Sequence, residues 1–183
     1  CSDWKANYPS GPLTDPTGPA SGSYRVLRGG AWGGDAHRLR SSLRYNITPD
    51  YRDHTLGFRV GFKFTGEHSV DLNASVSMEM LWVEPGTFTM GSPTSEAGRQ
   101  SDREDEHNVT LTQGFYLGKY EVTQAQYQAV MTGNSNGLSA TPGHNAGSPN
   151  CPVEMVSWDD IQIFLTRLNA AEQTAGRLPA GWT

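Results

Sequence analysis

Cysteine is nearly missing from this chain: 183 residues carry two, Cys1 and Cys151. They can pair, but nothing in their spacing demands a disulfide. Cys1 would suit a lipidated N-terminus, yet no lipobox precedes it. Long apolar runs are also missing, which excludes a transmembrane helix. Neither an initiator Met nor a signal-peptide pattern is present, and both absences are read as signs of a longer protein. A net charge of -5 leaves no overall basic surplus, so nucleic acid is not an expected partner. Neither a P-loop, a nucleophile elbow nor a dinucleotide fingerprint occurs. The five histidines form no H-x-x-x-H or H-E-x-x-H pair, and a metal site needs three or four converging ligands. No metal ligand is assigned. No repeat with a period of 20 to 50 residues is visible.

What is present is glycine, proline and aromatic side chains: 21 Gly, 11 Pro, 5 Trp, 7 Tyr and 6 Phe imply many turns around an aromatic core. Between Arg25 and Arg59 lie seven arginines (Arg25, Arg28, Arg38, Arg40, Arg44, Arg52, Arg59) against Asp35, Asp50 and Asp53. Arg is a rigid donor fork. These residues therefore either brace the fold through acids and carbonyls or gather an anionic ligand. Three Asn-x-Ser/Thr triplets begin at Asn46, Asn73 and Asn108, a pattern that also arises often by chance.

The polar stretch Thr65–Ser77 lacks periodicity and reads as a linker. Before it, Tyr24–Leu27 and Gly57–Phe64 read as strands, the second alternating Phe58, Val60, Phe62 and Phe64 with Arg59 and Lys63. After it, Met80–Val83 and Gly86–Met90 suggest a hairpin about Pro85-Gly86. Ser101–His107 suggests a solvated acidic loop. His107–Leu111 and Gly114–Tyr116 resume strand-like composition. Two helix starts carry capping signals, Thr123 with Gln126 and Ser157 with Asp160. The second helix should bury Ile161, Phe164, Leu165 and Leu168 and end before Gly176. Thr132–Asn150 between them reads as a long loop.

The motifs resemble a known family. Cys1-Ser2-Asp3-Trp4, Asp15-Pro16-Thr17-Gly18-Pro19, Arg25-Val26-Leu27-Arg28-Gly29-Gly30-Ala31-Trp32 and Leu56-Gly57-Phe58-Arg59 are similar to the C-terminal part of the sulfatase-modifying-factor, or formylglycine-generating enzyme, family. Its signature is "RGGSW … R … GFR". Pro85–Gly91, Glu106-His107, Tyr120-Glu121-Val122-Thr123 and Pro152–Asp160 resemble the family's N-terminal part. The order is inverted. The resemblance therefore implies a fragment of a tandem-domain protein: residues 1–64 as the C-terminal part of one module, 65–77 as linker, and 78–183 as the N-terminal part of the next. A circular permutant lacking its middle is the other account. The implied fold is α+β, loop-rich and C-type-lectin-like, with short antiparallel strands and helices near 123–131 and 158–172. Residues 1–64 and 78–176 are expected to pack on each other, since neither supplies a full core alone.

In formylglycine-generating members, a cysteine pair after the GGSW-like motif holds copper as thiolates and oxidises a substrate cysteine. Those positions fall here at Gly34 and near Leu39, and Ala31 replaces the motif serine, so no catalytic residue is carried over. The resemblance places calcium sites in the family's middle portion. Copper or calcium is thus expected only in a full-length protein, with no cofactor evident in this chain. Other branches of the family act as sulfoxide synthases or accessory proteins without the cysteine pair. Two roles stay open: a non-redox module binding a protein, peptide or glycan, or part of an oxidase whose active site lies elsewhere. For the first, Trp32, His37, Arg38 and Arg40 are the candidate ligand-binding residues, an aromatic among cations. Trp32 has core packing as its alternative. An extracytoplasmic or secreted setting fits the loop-rich, sequon-bearing character and the places where many family members act.

Overall fold

A computed structural model describes residues 1–8, 11–35, 39–62, 70–144 and 147–178. The chain forms two compact units, each stitched from two separate segments. The first comprises Cys1–Pro49 with Val83–Phe115, the second Asp50–Trp82 with Tyr116–Thr183. Each unit joins residues from the N-terminal and C-terminal pieces, as the shortage of core in either piece requires.

In the first unit, β1 (Leu13–Thr14), β9 (His107–Leu111) and β8 (Gly86–Met90) form a sheet in the order β1-β9-β8. β8 and β9 are antiparallel, whereas β1 runs parallel to β9 with Leu13 opposite Val109. Parallel neighbours cannot be joined by a tight turn, and here the sequence separation between the two segments supplies the crossover. A second ladder pairs β2 (Arg25–Leu27) with β3 (Tyr45–Ile47), Val26 facing Asn46. Apolar burial is thin. Val26, Leu43 and Val109 are buried, alongside Arg44, Ser92 and Glu104.

In the second unit, β4 (Gly61–Phe62), β10 (Phe115–Gly118) and β7 (Met80–Val83) pair in the order β4-β10-β7. β5 (Val70–Asn73) and β6 (Val76–Met78) form a hairpin, and two helices follow, α1 (Gln124–Met131) and α2 (Trp158–Thr174). The main apolar cluster lies here: Val60, Val70, Met78, Tyr127, Met131, Val153, Phe164 and Leu168 among others. Tyr127 stacks on Phe164 at 5.4 Å and Phe58 meets the same ring edge-on at 5.3 Å. Burial pushes the Tyr127 hydroxyl up to about 12, with the Asp160 charge adding to the effect.

Both helices begin with the reciprocal capping boxes the sequence signalled. At α2, Ser157 Oγ accepts from the Asp160 N–H and the Ser157 N–H donates to Asp160 Oδ2. Arg52 then clamps the same carboxylate through Nε and Nη2 at 2.6 and 2.7 Å. At the end of α1, Arg167 donates to the carbonyls of Val130 and Thr132, where orphan acceptors and the helix dipole favour a cation.

Several expectations change. The segment 65–77 is not a featureless linker: residues 65–69 lie outside the described residues, but Val70 and Met78 of the β5–β6 hairpin enter the core. Its turn is closed by Asn73 Oδ1, which accepts from the Ser75 N–H and hydroxyl. β7 and β8 do not make one hairpin, because β7 sits in the sheet with β10 and β8 in the sheet with β9. Gly57–Phe64 is a strand only at Gly61–Phe62, with Lys63 and Phe64 outside the described residues, although Val60 is buried and Arg59 exposed as the alternation requires. The two helices and mainly antiparallel short strands agree with an α+β class.

Asp160 is costly to desolvate, but the Arg52 guanidinium and the Ser157 N–H hold its carboxyl below the ordinary 3.8. A depressed acid stabilises the fold fully above its unfolded pKa and loses that contribution as pH falls through the lower folded value. Asp160→Ala should therefore lower stability by about 2 kcal/mol at neutral pH, since a cap and a half-exposed ion pair are lost together. The difference in Tm between variant and parent should shrink on acidification below pH 3.8. Thermal unfolding followed by circular dichroism over a pH series checks it.

Candidate functional site

The stretch between β2 and β3 carries the sequence-predicted site. It leaves the ladder through Gly29 and Gly30, with φ of +85° and +80°. Two consecutive left-handed residues are accessible at low cost only to glycine. The Gly34 N–H then donates to the Ala31 carbonyl at 2.9 Å, closing a tight turn. Trp32 sits on that turn with 67% of its surface exposed. Core packing, the usual fate of a Trp, is therefore not its role. Asp35 ends this part of the loop, and His37 and Arg38 lie outside the described residues.

Arg40 is placed very differently. Its guanidinium meets Glu96 at 2.5 Å and Glu104 at 3.3 Å, and also donates to Ser92 Oγ and the Ala97 carbonyl. These partners occupy the fork, so Arg40 braces the base of the loop.

The second of these acids, Glu104, is fully buried. Burial alone would raise the carboxyl, but the Gln100 N–H, the Ser42 hydroxyl, Arg40 and Arg99 together hold it below the ordinary 4.5. Ser42 Oγ donates to Oε1 at 2.7 Å and Gln100 N to Oε2 at 2.6 Å. The chain reaches this position through Gly91, where a Cβ would lie 2.5 Å from the Asp105 carbonyl oxygen. The acidic 101–107 segment is thus not simply a solvated loop, since its second acid, Glu104, is the centre of a buried network. Sequence reading missed Glu104, and the only available signal was the surplus of arginines over acids in 25–59.

Arg25, Arg44 and Arg28 of the cluster are similarly engaged. Arg25 stacks on Trp4 at 3.4 Å and donates to the Ser2 carbonyl at 2.5 Å. Arg44 lies over Tyr8 and donates to the Ala6 carbonyl, while the Tyr8 hydroxyl donates to the Arg103 carbonyl. Arg28 reaches the Ser42 carbonyl. In the second unit, the His54 and His144 rings approach to 5.9 Å. Among the described residues, however, no three or more His, Cys, Asp or Glu converge to hold a metal. No described helix is long and apolar enough to cross a membrane.

With this geometry in hand, comparison with known proteins is decisive for the family. The model of the sulfatase-modifying factor enzyme 1-like domain matches residues 1–63 and 69–181. The chain belongs to this family. It is 40% identical over 88 residues to a chaperone protein LppX from Paenibacillus barcinonensis, covering 48% of this chain and 25% of that protein. It is 42% identical over 64 residues to a formylglycine-generating enzyme from Streptomyces coelicolor, covering 32% of this chain and 20% of that one. The chain thus spans a quarter or less of the relatives it matches. No solved structure gives a significant match.

The resemblance expects a copper-binding cysteine pair at Gly34 and near Leu39. Gly34 lies in the turn after Trp32, and Leu39 is half exposed beyond it. Neither carries a thiol. Cys1 and Cys151 are not disulfide-bonded, are exposed and belong to different units. The sulfatase-modifying-factor loop of this chain therefore does not fit a dithiolate metal centre.

Two variants separate bracing from contact. Glu104→Ala should lose about 3 kcal/mol, because it breaks a buried ion pair with Arg40 and leaves the Ser42 hydroxyl and the Gln100 N–H without their acceptor. Trp32→Ala should leave Tm almost unchanged, as an exposed surface site does. A calorimetric comparison of the two with the parent decides whether the loop is held from below in this way.

Proposed function

We propose that this chain is the C-terminal part of one sulfatase-modifying-factor module joined to the N-terminal part of the next, and that its first part is a non-redox binding element. The observation that carries this reading is the pairing of an exposed Trp32 on a glycine turn with Gly34 and Leu39 at the cysteine positions. A surface aromatic on a braced loop suits recognition, because loops on a rigid scaffold can vary without disturbing the core. Arg40 supports the loop from beneath. His37 and Arg38, which lie outside the described residues, are the sequence's candidates for polar contacts to the same ligand. The ligand class is a protein, peptide or glycan, on a C-type-lectin-like scaffold in an extracytoplasmic or secreted setting. Likeness to a protein named as a chaperone adds weight to polypeptide as the partner.

A second reading rests on the likeness to a formylglycine-generating enzyme. In it, a full-length protein houses an oxidase centre in the remainder of the second module, with copper or calcium bound there and the first module as a degenerate neighbour.

Incubating the purified chain with copper(I) and a sulfatase-type cysteine peptide discriminates between local chemistries. Mass spectrometry should show the peptide thiol unconverted to the aldehyde, and appearance of formylglycine would overturn the non-redox reading of this chain. On peptide and glycan arrays, Trp32→Ala should lose the parent's signal while keeping its Tm. Equal signals from both proteins would remove Trp32 from the site.

A further inference from the structure

The loop after α1 contains the chain's one Asn-Gly step, Asn136-Gly137. Two asparagines two residues apart are treated in opposite ways there. The Asn134 amide is pinned on every side: Nδ2 donates to the carbonyls of Met131 and Leu138 at 2.9 and 2.8 Å. Its Oδ1 accepts from the N–H groups of Asn136 and Leu138 at 3.1 and 3.2 Å. The Asn136 side chain is exposed and makes no hydrogen bond among the described residues, and neither does the Gly137 N–H. Gly137 has φ of +73°, and a Cβ there would meet nothing within 4 Å. The main-chain nitrogen following Asn136 is thus unhindered by a side chain, sits in the loop between α1 and α2 outside any helix or strand, and is not held by a ladder.

We propose that Asn136 is a site of spontaneous covalent modification, converting to aspartate and isoaspartate through a cyclic imide. The Gly137 nitrogen attacks Cγ of Asn136. A carbon–nitrogen bond forms, the bond from Cγ to the side-chain nitrogen breaks, and ammonia leaves carrying the proton from the Gly137 amide. Water then opens the imide at either carbonyl, so the only co-reactant is water and nothing is oxidised or reduced. Opening at one carbonyl gives aspartate. Opening at the other places an extra methylene in the main chain between positions 136 and 137.

Both products add one negative charge to the loop. The second also lengthens the main chain between Asn136 and Leu138, whose N–H and carbonyl are both held by Asn134 and whose side chain packs against the apolar core. Asn134 is protected by its four hydrogen bonds, because its amide cannot turn toward the following nitrogen without breaking them. It is also followed by Ser135, whose side chain hinders attack on its nitrogen where glycine offers none.

The test uses the full folded chain, held at mildly alkaline pH and sampled over days by peptide mapping. Isoaspartate is read by methyl transfer from a protein isoaspartate methyltransferase. The expected result is a more acidic, methyl-accepting form confined to the peptide containing Asn136, with Asn134 retained as the amide. Asn136→Gln should lose both signals. The proposal is overturned if the acidic form persists in that variant. It is equally overturned if the folded chain keeps Asn136 intact over the time in which the urea-unfolded chain converts, since the native loop would then be holding the pair apart.

Discussion

The buried carboxylate of Glu104 is the interaction on which the first unit rests. Its partners come from both chain segments: Ser42 and Arg40 from the N-terminal one, Gln100 and Arg99 from the other. A charge fully removed from water is tolerated only when it is paired and its lone pairs are filled. Here that condition can be met only if the two segments are correctly docked. With few buried apolar side chains in this unit, the carboxylate takes on the selecting role that close packing plays elsewhere. Arg40 ties the return of the loop that carries Trp32 to Glu96 and Glu104.

The second unit solves the same assembly problem with apolar area. Phe58 and Val60 from the first segment meet Tyr127, Val153 and Phe164 from the second around a shared aromatic contact. Burial on this scale acts without direction, so orientation has to come from polar contacts at its margin. Arg52 supplies one by reaching the carboxylate that already caps α2. One side chain thus fixes both the start of a helix and the position of a segment more than a hundred residues away in sequence.

Local rules made the helices legible. The capping boxes at Thr123 and Ser157 depend on residues three positions apart, and the core face of α2 on a short period, so both survive without tertiary information. The alternation through Phe58, Val60 and Phe62 was readable for the same reason. What was not legible depended on partners distant in sequence. The parallel pairing of Leu13 with Val109 has no local signature, and a pair of β-strands as short as β5 and β6 looks like polar linker until Val70 and Met78 are given a core to enter. At the candidate site, the glycines and the missing thiols were visible directly. The opposite fates of Trp32 and Arg40 were not, since composition does not say which of an aromatic and a cation will find a buried acid.

Because each unit draws on two separated segments, the chain passes between units at three points, near residues 49, 82 and 115. A single break in the backbone cannot therefore release either unit whole. A nick at the first or third point leaves a segment holding on through strand pairing and ion pairs rather than through covalent continuity. Boundaries drawn along the sequence and boundaries drawn in space disagree in such a molecule, and a truncation chosen from the sequence alone would remove part of both units.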